Sequence, residues 1–450
     1  MAPPHPHPLL ARPILPTLLR LAAPNVLGMV ATALVAVAET AYAGRLGTVE
    51  LAGMALVFPF VMLQQMMSAG AMGGAISSAV SRALGAGDTA RAAALALHAA
   101  LIGLGAGLVF SAVFLLAGPA IFRLLGGRGA ALAAADAYAT VVFAGSAAIW
   151  VTNSLISVLR GTGDMRASAA LLLAVSLLQV LLGGALAFGI GPLPPLGLAG
   201  IGLGQALAFV AGAAAVLAWF GRGRARVKLA WARPRRALFA DILRVGLVST
   251  LSPLVSVSVV LILTRLVAGF GTEALAGYGI GVRLEFLLIP IAFAIGIAAI
   301  PLVGTAIGAG DVARARRAAW ISGALAFAAL GAFGLLAAAI PRHVADAFTD
   351  DPAAIAVAAR FFAWVGPAYG FFGLGLVLYF ASQGAGRMTG PLAAAGTRLA
   401  VVALGGWWVA GRSADIGDLF AVIALALVAY GCVSVIGIAA SRWTAQRARP

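Results

Sequence analysis

Gly47-Thr-Val-Glu-Leu-Ala-Gly53 and Gly85-Ala-Gly-Asp-Thr-Ala-Arg91 are each written twice in this chain. Gly271-Thr-Glu-Ala-Leu-Ala-Gly277 repeats the first at an offset of 224 positions, and Gly308-Ala-Gly-Asp-Val-Ala-Arg314 repeats the second at 223. The register extends outward from both. Leu19-Arg20 answers Leu243-Arg244, and Gly161-Thr-Gly-Asp-Met165 answers Gly384-Ala-Gly-Arg-Met388. A register held over most of each half marks an internal duplication with one residue lost.

The repeated unit is built for lipid. Hydrophobic residues make up 62% of the chain, charged residues only 10%, and the mean hydropathy is +1.06. A soluble domain carries roughly 25% charged residues, so this chain cannot cover itself for water. Apolar runs at about 18–43, 51–80, 92–117, 136–159, 167–190 and 197–220 predict six helices. Runs at about 240–267, 275–306, 318–340, 355–380, 390–410 and 418–440 predict six more. Each is long enough for a ~30 Å hydrocarbon core, and the frequent Gly and Ala suit close helix packing. The expected fold is therefore all-α integral membrane: twelve transmembrane helices in two six-helix lobes. The expected division is a disordered tail 1–16, an N-lobe 17–221, a basic linker 222–239, a C-lobe 240–441 and a tail 442–450. An even number of spans per copy makes the repeat parallel, with its axis along the membrane normal.

The net charge of +16 does not point to nucleic acid, because most of the arginines lie in short loops between apolar runs. Seven Lys/Arg residues fall between Arg222 and Arg236 alone. This asymmetry places both termini and the linker in the cytoplasm, of a multi-pass protein of the plasma (inner) membrane. Cys432 is the single cysteine, and His5, His7, His98 and His343 are scattered, so no disulfide or metal site is expected. Lys228 follows no P-loop, which removes ATP as a ligand of this chain. No enzyme activity and no cofactor are expected, and a monomer bounded by lipid suffices.

Ionisable residues inside apolar runs are few, and each is informative. Glu39 lies near the outer end of helix 1, ahead of Tyr42 and Arg45. It reads as an ion-binding carboxylate or as an acid snorkelling to the interface. Arg45, six residues on, falls about 240° around the helix and is a poor partner. Arg283 and Glu285 sit inside helix 8, two residues and about 200° apart, so they cannot pair with each other. Arg265 is the candidate partner for Glu285; together they bind substrate, gate, or simply tie helices 7 and 8. Gln64 and Gln65 beside Met66 and Met67, Asn153 and Gln179 place amides at membrane depth, where they line a cavity or hold helices together. The two Gly-Ala-Gly-Asp turns end one helix and cap the next.

The stretches Glu39-Thr-Ala-Tyr-Ala-Gly-Arg-Leu-Gly47, Ser81-Arg-Ala-Leu-Gly-Ala-Gly-Asp88, Leu159-Arg-Gly-Thr-Gly-Asp164 and Leu193-Pro-Pro-Leu-Gly-Leu-Ala-Gly200 resemble the multidrug and toxic compound extrusion (MATE) family. The resemblance runs from about residue 17 to 440. It implies export of organic, often cationic compounds against inward proton or sodium flow, by alternating access between two lobes. Glu39 then stands where the family usually has Asp, and asparagines common in helix 5 fall at Gln179 and Gly183. Some members carry an acid in helix 7; here that helix is read as having none, with Arg265 instead. The resemblance therefore points to proton coupling through Glu39, with Tyr42, Gln64, Asn153, Gln179, Arg283 and Glu285 as substrate-binding or gating residues. A flippase for lipid-linked saccharides is the alternative of similar architecture. It would want an arginine-rich cavity, for which only Arg265 and Arg283 are on hand.

Overall fold

The computed structural model describes residues 8–192, 194–229, 233–412 and 415–444. The described chain is helical throughout and divides into two compact units, one of Ala23–Gly246 and one of Met1–Ala22 with Leu247–Pro450. In order, its helices are α1 (Pro8–Ala11), α2 (Ile14–Leu46), α3 (Thr48–Gln65), a π-helical segment Met66–Met72, α4 (Gly73–Gly85), α5 (Thr89–Leu124), α6 (Gly129–Ala144), α7 (Ser146–Gly161), α8 (Met165–Phe188) and α9 (Gly197–Gly221). Then come α10 (Arg236–Ala268), α11 (Thr272–Gly308), α12 (Val312–Ala339), α13 (Pro341–Asp346), α14 (Pro352–Val365), α15 (Tyr369–Gly384), α16 (Thr389–Ala410) and α17 (Ile416–Ala440). Eleven segments are long and apolar enough to cross a membrane; α6 and α7, bent by 45° between them, supply the twelfth. Large side chains such as Leu116, Leu124 and Trp407 stand more than three-quarters exposed, as a lipid-facing surface requires.

The repeated turns show why the sequence pattern recurs. In Gly85-Ala-Gly-Asp88, the peptide N–H of Ala86 donates to the Arg82 carbonyl and closes α4. Gly87 then takes a φ of 77°, a conformation that costs a residue with a Cβ about 1–2 kcal/mol. Asp88 accepts from the Arg91 N–H at 2.8 Å and so caps α5. The second copy does the same with Gly310 at φ 82° and Asp311 accepting from Arg314 N–H at 2.8 Å. In the other repeated turn, Asp164 caps α8, but its register mate is Arg387, which has no acceptor, and α16 starts without a side-chain cap.

The N-terminal unit packs around Phe114, Phe122, Phe143 and Tyr138, with Phe114 and Phe143 stacked at 4.0 Å. The C-terminal unit packs around Phe361, Phe362, Phe420 and Tyr369, with Phe361 edge-on to Phe420 at 5.3 Å. Small residues let helices touch: a Cβ on Gly204 of α9 would lie 2.3 Å from the Gly183 nitrogen of α8.

Two expectations change. Of the stretch 1–16, expected to be a disordered tail, residues 1–7 lie outside the described residues, whereas Pro8–Ala11 is helical and α2 has begun by Ile14. The order comes from tertiary contact, since Arg314 donates to the Leu9 and Arg12 carbonyls and Leu9 is buried. Helix 2, expected as one run over 51–80, is interrupted by the π segment Met66–Met72. There Gly73 presses on α7, and a Cβ on it would meet Ser157 Oγ at 2.5 Å.

Candidate functional site

Glu39 lies in α2 of the N-terminal unit and is 7% exposed. Gln179 Nε2 of α8 donates to its Oε1 at 2.8 Å. Among the described residues it makes no ion pair, with Arg45 or any other cation. Tyr42, three residues on and hence on the same helix face, meets Phe188 edge-on at 5.7 Å. Gly184 makes room for that ring, because a Cβ there would lie 3.0 Å from Tyr42 Cζ. Tyr138 of α6, fully enclosed, is close enough to Glu39 to feel its charge. The result is a carboxylate walled by apolar and aromatic groups, with one amide to solvate it. Such a group holds a negative charge only at a cost of several kcal/mol, and a proton or small cation relieves that cost.

A second set of polar residues ties the π segment to α7. Asn153 Nδ2 donates to Gln65 Oε1 and to Ser68 Oγ, both at 2.9 Å. Ser146 donates to Gln64 Oε1 at 3.1 Å, while Gln64 Nε2 is buried without a hydrogen-bond partner among the described residues. Gln64 and Asn153 therefore hold two helices together and hydrogen-bond to neither Glu39 nor Gln179. π segments of this kind recur at functional sites, and this one carries the half-buried Met66 and Met67.

In the C-terminal unit, Arg283 and Glu285 diverge as their spacing requires: Arg283 is exposed and Glu285 half-buried. Arg265 is exposed and does not pair with Glu285. Arg398 of α16 is the cation near enough to act on Glu285, without forming an ion pair with it, and the Tyr369 hydroxyl lies near the carboxylate without closing a full hydrogen bond. Tyr278 shares that environment. Arg398 also lies over the rings of Phe372 and Tyr430, at 5.5 and 5.9 Å. Sequence reasoning missed Arg398, Tyr138 and Tyr369. One signal was available: the chain has only six tyrosines, and Tyr138, Tyr278 and Tyr369 lie near the two carboxylates, with Tyr42 one turn beyond Glu39. It also overlooked Asp241, an acid in the second turn of the seventh transmembrane helix, α10.

Known proteins resemble this chain along most of its length. It is 35% identical over 356 residues to a probable multidrug resistance protein NorM of Deinococcus radiodurans, covering 75% of this chain and 74% of that protein. It is 26% identical to an FAD transporter of Shewanella oneidensis, over 84% of this chain and 83% of the relative. A solved MOP superfamily transporter from Pyrococcus furiosus superposes with a TM-score of 0.87 at 23% identity, over 97% of this chain and 96% of that one, and shares its fold. The MatE family model matches twice, at residues 24–185 and 249–408. Both copies of the duplicated sequence are thus accounted for, and the chain belongs to the MatE family of multi-pass membrane transporters.

Proposed function

We propose that this protein is a secondary active antiporter that exports organic, cationic or amphipathic compounds across the plasma (inner) membrane in exchange for protons. The observation that carries the reading is Glu39, an enclosed carboxylate held by the Gln179 amide and, among the described residues, in no ion pair. A group in that setting exchanges a proton between two sides whenever its access alternates. One proton falling through ~150 mV releases about 3.5 kcal/mol. That sustains a gradient of roughly a few hundred-fold in a neutral cargo. The multidrug names of several relatives support the cargo class, and the FAD transporter among them makes an anionic aromatic cargo the comparison of choice.

The test is transport in proteoliposomes, with a cationic dye and FAD as cargoes and with pH and sodium gradients imposed separately. The expected result is dye movement driven by the pH gradient alone. Dye movement that follows only the sodium gradient would reassign the coupling ion. Movement of FAD and no dye would overturn the cargo class.

A further inference from the structure

Each glycine turn of the duplicated pattern grips the chain that leads into the first helix of the other repeat. In the N-terminal unit, Arg82 and Arg91 each place an Nη2 2.8 Å from a different oxygen of Asp241. Arg82 also donates to Ser78 Oγ, one turn earlier on α4. Arg82 is 5% exposed and Asp241 14%, so the central pair is largely desolvated. Beside it, the Arg235 peptide N–H donates to His98 Nε2 at 2.9 Å, and the His98 ring meets Phe239 at 4.6 Å. His98 Nδ1 lies 2.7 Å from the Ala94 carbonyl, which assigns the proton to Nδ1 and leaves Nε2 as the acceptor.

The C-terminal unit carries the corresponding device in a different chemistry. Arg314 is the register mate of Arg91, and its Nη2 donates to the Leu9 carbonyl at 2.8 Å and to that of Arg12. The register mate of Asp241 is Thr17, which spends its hydroxyl on its own Pro13 carbonyl at 2.6 Å. One turn therefore holds main-chain carbonyls, and the other holds a carboxylate between two guanidinium groups. Duplication explains why both turns grip; it does not explain why only one became ionic.

We infer that Arg82, Asp241 and Arg91 form a latch that opens and closes during transport. A desolvated ion pair contributes little net stability, since the lost hydration offsets most of the attraction. What such a pair does well is favour one arrangement over another, because breaking it strands buried charge. Its position suits that role. Residues 236–246 of α10 belong to the N-terminal unit and the remainder of the helix to the C-terminal unit. Arg82, Arg91 and Asp241 all lie in the N-terminal unit, so the triad holds the first turns of α10 to α4 and α5 just before that helix leaves the unit. The inference rests on the export reading above, and the two are separable by experiment.

The test bridges the latch shut. Arg91→Cys and Asp241→Cys are combined in a Cys432→Ala background, because Cys432 is exposed. A bifunctional, reducible thiol reagent of matching length links the pair in proteoliposomes, and dye exchange is followed before and after reduction. A latch predicts that bridging lowers exchange by about tenfold or more and that reduction restores it. A bridged protein that carries dye as fast as its unbridged form would overturn the inference. A second measurement needs no variant: hydrogen exchange of the amides of residues 236–246 in the unmodified protein. A latch predicts that they exchange about fivefold or more faster during turnover than at rest. Equal protection in both conditions counts against it. Dye exchange by the unmodified protein tests the export reading, and the ratio of bridged to unbridged rates tests the latch.

Discussion

Glu39 and Gln179 reach one another from helices 140 positions apart, and that bond has consequences at single-residue scale. Glu39→Gln keeps the shape and the hydrogen-bond acceptor but removes ionisation. Coupled dye efflux in proteoliposomes is expected to fall to background, with the protein inserted and its melting temperature in detergent unchanged or raised. Gln179→Leu removes the amide that donates to the carboxylate. Efflux is expected to fall roughly ten- to a hundredfold, in line with ~1.5–3 kcal/mol for a hydrogen bond to a charged group. Glu39 was legible in the sequence because a carboxylate in an apolar run is costly and therefore rarely idle. Tyr138 was not. An aromatic residue in an apolar run looks like any core residue until the packing of α6 brings it beside the carboxylate.

At the scale of elements, the turns were readable and the interruption of helix 2 was not. Gly and Asp at the end of an apolar run specify a left-handed turn and a cap, whatever the rest of the chain does. The π segment instead is met from α7 by Asn153, which donates to Ser68 within it and to Gln65 just before it. Asn153→Ala leaves the buried Ser68 hydroxyl and the half-buried Gln65 amide without that donor. It is expected to destabilise the protein by ~1–3 kcal/mol, seen as a lower melting temperature in detergent. Gly204→Ala tests close packing of α8 and α9. With a Cβ only 2.3 Å from Gly183 nitrogen, α9 must move away. Overpacking of this kind costs ~1–3 kcal/mol, readable in the same melt. The partner of Glu285 shows the limit of spacing arguments. Helix geometry separates Arg283 from Glu285 without reference to the rest of the fold, yet it cannot choose between Arg265 and Arg398, which lie on different helices.

For the whole molecule, the loop arginines predict that both termini face the cytoplasm. A fluorescent protein fused after Pro450 is expected to be bright, and alkaline phosphatase at the same place inactive; the reverse pair of results would invert the topology. Composition, apolar run length and a register of 223–224 residues were enough to establish a duplicated all-helical membrane chain with twelve spans, because each of those properties is local or periodic along the sequence. Hydrocarbon demands internally bonded backbone, so apolar length converts directly into helix. Tertiary structure alone decided which side chains share a site: Tyr138 with Glu39, Arg398 with Glu285, Asp241 with Arg82 and Arg91. Each pairing joins residues far apart in sequence, and only the packing of helices with similar apolar faces, settled by where glycine allows contact, selects one neighbour over the rest.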